Sequence, residues 1–146
     1  MIFIGSDHAG FVLKQAIKEN LDELGIKYQE VGNQKFNPRD DYTDFAEAVG
    51  RRVVASKGGK GILICSSGIG MAMAANKIKG VRAANVLNLA MAAKSRQHNN
   101  SNVLCLGQDY IGPILAKKIV RVWLGTKFSS AARHRRRLAK IERRRS

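Results

Sequence analysis

Cysteine is scarce in this chain, and where the two residues fall removes several classes of protein. Cys65 and Cys105 each lie in or beside a strand-like apolar run. Thiols so placed argue for reduced cysteines in a cytoplasmic protein and against a disulfide framework, and no CxxC or Cys/His spacing suggests a metal. No uncharged apolar stretch approaches the roughly 18–20 residues that span a bilayer, so a protein without a membrane partner is expected. The opening MIFIGSDHAG has neither the basic start nor the length of a secretory signal. Internal repeats and low-complexity linkers are also missing. What remains, 146 residues of which 45% are hydrophobic, suits one compact domain over 1–146.

Acidic residues are the other shortage. Eleven Asp and Glu stand against 26 Lys and Arg, for a formal net charge of +15, and residues 131–146 hold eight of the cations with Glu142 as their single acid. This points to an anionic partner. A basic end of this kind is a footprint for nucleic acid or phosphate, and equally a solvated helix face, so charge alone does not choose.

Read in order, the chain alternates strands with helices. Met1–Gly5 is a buried strand, and Val12, Leu13, Ala16, Ile17, Leu21 and Leu24 give the helix after it an apolar face. Ile26–Val31 is a second strand, followed by a long loop from Gly32 to Tyr42 and a helix capped by Thr43 or Asp44. Further on, the pattern predicts a strand over Val81–Val86, a helix over Asn88–Arg96 and a strand over Val103–Leu106. Pro113 opens the next helix, and a basic helix over 131–146 closes the chain, its last arginines fitting a disordered end. With few apolar positions beyond Leu138 and Ile141, that helix is expected to project or to pack on a partner subunit. Such alternation predicts an α/β fold, a Rossmann-like three-layer α/β/α sandwich with a five-stranded parallel sheet.

The stretch from Lys60 to Lys79, KGILICSSGIGMAMAANKIK, organises the rest. Ile62–Cys65 reads as a strand buried on both faces, Ser66–Gly70 as a small-residue turn, and Ile69–Ile78 as a helix closed by Gly80. Strand, Gly/Ser loop and helix together make a cradle of backbone amides for an anion. Cys65 at its lip is either a base or nucleophile, or a small buried cysteine before a tight turn. In doubly wound sheets ligands sit at the carboxyl ends of the strands, where Asp7 and His8, Tyr42 and Cys65–Gly70 all fall. If strands one and three are neighbours, Asp7 and His8 face Cys65.

Assembled, these pieces resemble the ribose-5-phosphate isomerase B family, whose relatives include allose-6-phosphate and galactose-6-phosphate isomerases. The matching segments are GSDHAG at 5–10, Asp41-Tyr42, GILICSSGIG at 61–70, AANK at 74–77, SRQHN at 95–99, NVLCLG at 102–107, WLGTKF at 123–128 and ARHRRR at 132–137. The resemblance implies a cytosolic, metal-independent and cofactor-free dimer or tetramer that interconverts ribose 5-phosphate and ribulose 5-phosphate through a cis-enediolate. It makes Cys65 the base and His98 the acid that opens the sugar ring. Amides from Ser66, Ser67, Gly68, Ile69 and Gly70, with the Ser67 hydroxyl, hold the enediolate. Asp7, Tyr42 and Asn99 bind sugar hydroxyls, and His8, Arg133 and Arg137 clamp the phosphate. His134 is a weaker second candidate for the ring-opening acid. The final helix is expected to reach the crevice of a second subunit, so that active sites are shared.

Departures from the family pattern are Asp109, where members often carry Arg, and Ala131-Ala132 in place of Gly-Gly. Some relatives use a Glu in the helix after the central loop; Met71–Ala75 here has no acid, which favours Cys65. Two rival readings are a nucleic-acid binder using the arginine-rich end, which is disfavoured, and a dinucleotide-binding domain, which lacks GxGxxG after strand one.

Overall fold

The computed structural model describes residues 1–143. The arginines at 144 and 145, read above as a disordered end, lie outside the described residues. Five parallel strands form one sheet: β1 (Ile2–Ser6), β2 (Tyr28–Glu30), β3 (Lys60–Cys65), β4 (Ala83–Asn85) and β5 (Val103–Gly107). Their order is β2-β1-β3-β5-β4. The neighbouring β1 and β3 meet the condition under which Asp7 and His8 face Cys65, although β5 inserts between β3 and β4. The helices are α1 (Phe11–Glu23), α2 (Tyr42–Ala55), α3 (Ile69–Ala75), α4 (Leu89–Gln97), α5 (Pro113–Gly125) and α6 (Ala132–Arg143).

Strand alternation divides the apolar residues between two layers. Ile62, Ile64, Leu104 and Leu106 face α1, α4 and α5, whereas Leu63, Cys65, Val103 and Cys105 face α2 and α3. Both sides of the central strands are dry, so their sequences are continuously apolar. Trp123 on α5 is fully buried, and its indole N–H donates to Ser101 Oγ at 2.8 Å just before β5.

Several boundaries differ from the sequence reading; the fourth strand, read as Val81–Val86, is Ala83–Asn85. The helix read as Ile69–Ile78 ends at Ala75, because the Lys77 and Ile78 amides turn back to the carbonyls of Ala74 and Ala75. There Asn76 clamps β4, donating to Ala83 O and accepting from Ala83 N, both at 2.9 Å. The second strand shrinks to Tyr28–Glu30 because Ile26 N–H is used to close α1 on Leu21 O. The second helix starts at Tyr42, with Asp41 at its N-cap.

Candidate active site

The carboxyl edge of β1 and β3 gathers one set of the expected residues. Ser6 pairs with Ile64, so Asp7 and Cys65 occupy successive positions just past that pair. Asp7 is buried, and its Oδ1 accepts the Gly10 amide at 3.1 Å. Burial raises its pKa against the opposing pull of that hydrogen bond. A Cβ on Gly10 would lie 2.4 Å from Ile64 O, so the Asp7–Gly10 turn seats directly on β3.

The loop after β3 is built on two further close approaches. Gly68 has φ +78, open to glycine at little cost, and a Cβ there would also lie 2.4 Å from Asn85 Oδ1. A Cβ on Gly70 would lie 2.6 Å from the Tyr42 ring, which places Tyr42 against the start of α3. Inside the loop, Gly68 N–H donates to Cys65 Sγ at 3.1 Å. The sulfur thus receives a backbone donor, and Cys65 is 3% exposed. Ile69 N–H goes to Ser67 Oγ at 3.2 Å. Two of the five amides expected to hold an oxyanion are therefore already engaged, because the turn satisfies its own donors, and the reading narrows to Ser66, Ser67 and Gly70.

His8 is held by a residue of the long loop to which the sequence reading gave no role. Asp40 Oδ1 accepts from the His8 amide at 2.9 Å and lies 2.8 Å from His8 Nδ1, while its Oδ2 accepts from Asn33 Nδ2 at 3.0 Å. Lys14, fully buried, donates to Asn33 O at 2.8 Å and pairs with Glu30 at 2.7 Å. This relay runs from α1 through the loop to the His8 ring. The hydrogen bond to Asp40 raises the His8 pKa; burial works against the Asp40 carboxylate, but its bonds from His8 and Asn33 win and hold it low. Asp7, His8 and Asp40 also bring ligand-type atoms within 4.8 Å of one another, though the hydrogen bonds just described already use the Asp40 oxygens and Asp7 Oδ1.

The remaining expected residues are elsewhere. His98 caps the end of α4, and Asn99 follows it, before β5 begins. Asn102 O accepts from Gly61 N at the start of β3, so this is the amino edge of the sheet. Cys65 pairs with Gly107 at the far end of β5. The strand β5, Val103–Gly107, separates the two edges by about 13 Å. His98 stacks on His134 with ring centroids 4.4 Å apart, and His134 Nδ1 lies 2.8 Å from Ser129 Oγ. Burial, then the charges of Arg133, His98 and Arg137, lower the His134 pKa. Arg133 and Arg137, both exposed, sit either side of it on α6. That helix also touches its own chain through Glu142, 3.2 Å from Arg82. The chain thus carries two clusters, one at each edge, and does not by itself join Cys65 to His98.

Asn85 was also missed by the sequence reading. It reaches from edge strand β4 past Gly107, and its Nδ2 donates to Ser67 O at 3.3 Å. Its position as the polar end of a strand at the carboxyl edge was the available signal. Asp109, exposed, donates its amide to Ser66 O at 3.0 Å, beside the same loop.

With this geometry in hand, comparison with known proteins places the chain. The family model described as Ribose/Galactose Isomerase matches residues 2–141, and the chain belongs to that family of enzymes. It is 40% identical over 140 residues to the ribose-5-phosphate isomerase B of Escherichia coli, covering 96% of this chain and 93% of the relative. The crystal structure of ribose-5-phosphate isomerase B from Mycoplasma genitalium with bound ribulose-5-phosphate superposes with a TM-score of 0.92 at 44% identity, covering 98% of this chain and 94% of that one. A ribose 5-phosphate isomerase from Thermotoga maritima gives a TM-score of 0.93 at 41% identity, with 97% of both chains covered. No helix among the described residues is long and apolar enough to cross a membrane.

Proposed function

We propose that this chain is a cytoplasmic ribose-5-phosphate isomerase, interconverting ribose 5-phosphate and ribulose 5-phosphate in the pentose phosphate pathway without metal or cofactor. The observation that carries this reading is the Cys65 sulfur under the Gly68 amide, in a loop flanked by Asp7 and Tyr42, within a chain about 40% identical to enzymes named for that reaction. The six-carbon alternatives, allose 6-phosphate and galactose 6-phosphate, are less favoured because these relatives are named for the pentose.

The chemistry asks for ring opening, removal of the C2 proton and its return to C1. His98 protonates the ring oxygen and opens the furanose. Cys65, as thiolate, takes the C2 proton, leaving a cis-enediolate whose oxygens accept hydrogen bonds from the Ser66, Ser67 and Gly70 amides and the Ser67 hydroxyl. Each such donor is typically worth about 3 kcal/mol in the transition state. Cys65 then returns the proton to C1 while the O2 hydroxyl proton passes to O1, which leaves the C2 carbonyl and the C1 hydroxyl of the ketose. Asp7, Tyr42 and Asn99 hold the hydroxyls; His8, Arg133 and Arg137 hold the phosphate, the guanidinium groups doing so bidentately.

Since the Cys65 and His98 clusters occupy opposite edges of one sheet, the complete site forms between two copies, as a homodimer or within a homotetramer. The surface supports this. Ile69 and Met73 on α3, and Leu87, Leu89 and Met91 at the start of α4, are 39–66% exposed on the helices flanking edge strand β4.

The test is an isomerase assay on chelator-treated protein comparing the pentose and hexose phosphates, repeated with Cys65→Ala. Turnover of ribose 5-phosphate is expected to exceed that of the six-carbon sugars and to fall by about 10²-fold or more in the variant, with phosphate-ligand affinity kept. A Cys65→Ala enzyme at full rate would remove cysteine from the mechanism.

A further inference from the structure

A second cationic feature shares the amino edge with the His98 cluster but is lined by different cations. At the amino edge of the sheet, between the end of α2 and the turns leading into β3 and β4, is a cavity of about 450 Å³. Lys57, Lys60, Arg82 and Arg96 line it together with Asn100 and Asn102, and no acidic residue does. It contains none of Cys65, His98, Asn99, Arg133 or Arg137.

The cations are not equally engaged. Arg96 is spread over the carbonyls of Thr126 and Ser101 and the side chain of Asn100, and Arg82 over Asn100 O, Gly80 O and Glu142. Those bonds fix the two guanidinium groups in place. The Lys60 ammonium has no hydrogen bond or ion pair among the described residues. Burial, and then Arg96, push its pKa down; burial and then Arg82 act in the same direction on Arg96. Like charges gathered in a partly dry recess disfavour one another, and an anion between them would relieve both the repulsion and the missing partner of Lys60. The volume falls within the range of small-molecule sites.

We propose that this cavity is a binding site for a small, multiply charged anion of the phosphate or polyphosphate class, separate from the site for the reacting sugar. Arg82 and Arg96 supply fixed guanidinium donors, and Lys60 the mobile charge that closes on the ligand. None of this rests on the reaction assigned above, and the readout is binding, not turnover.

The probe is inorganic pyrophosphate, titrated calorimetrically into the full-length protein in phosphate-free buffer. The wild type is expected to bind it saturably below about 1 mM. Reversing the free charge with Lys60→Glu is expected to weaken binding at least about tenfold, and Lys60→Gln by a smaller factor. Arg137→Ala, which alters only the sugar-phosphate clamp, is expected to leave this binding unchanged. Melting curves establish that each variant is folded, and Lys60→Gln stands in should the charge reversal fail that check. Absence of saturable binding to wild type, equal affinity in the folded Lys60 variants, or loss of binding in Arg137→Ala would each overturn the proposal.

Discussion

At the scale of single residues, the histidine of GSDHAG shows how a side chain outside a motif sets the behaviour of one inside it. Asp40 grips both the amide and the ring of His8, and the resulting upward pKa shift keeps the imidazolium charged further toward neutral pH. The pH window follows from the two shifts. A raised His8 gives a contribution that is full below the ordinary imidazole range and is lost as pH rises through its folded value. The lowered Asp40 loses its share as pH falls through its own. Between those two values the pair is whole. Asp40→Asn is therefore expected to move the His8 titration, followed by proton NMR of the ring, to lower pH, and to raise KM for the sugar phosphate most on the alkaline side. A titration midpoint identical to wild type would mean that Asp40 does not set the charge of His8.

At the scale of elements, the loop after β3 depends on what its neighbours leave out. Gly68 is both left-handed and pressed against Asn85, so Gly68→Ala meets backbone strain and a collision together. A loss of about 1–3 kcal/mol is expected, read as a lower melting temperature, with the Cys65 bond from the Gly68 amide disturbed and turnover reduced. Most of this architecture was legible beforehand. The apolar run Ile62–Cys65, the Gly/Ser turn and the helical stripe of α1 are local patterns, and each is found where its period places it. The early end of α3 was not legible, because it depends on Asn76 reaching Ala83 across a turn. The Asp40–His8 bond joins residues 32 positions apart, and no periodicity reports a contact of that span. Nor does a motif say which edge of a sheet its neighbour occupies: SRQHN reads as a site whether or not His98 lies near Cys65.

At the scale of the whole molecule, the shared-site proposal makes activity a property of assembly. Two inactive variants, Cys65→Ala and His98→Ala, damage opposite edges, so mixing them after mild dissociation is expected to restore activity through hybrids holding one intact pair. Recovery should approach about a quarter of the wild-type rate for random dimers, by counting the ways two copies combine. No recovery from a mixture shown to exchange subunits would place both residues in one chain's site. The amino edge also holds the chain's single tryptophan, its indole bonded to Ser101 and the Arg96 guanidinium 5.8 Å from its ring centroid. Ser101 lies three residues after His98, and Arg96 lines the cationic cavity. Its fluorescence is consequently expected to report on both proposals, through a change in emission of the unlabelled wild-type chain when a second copy or an anion settles at that edge.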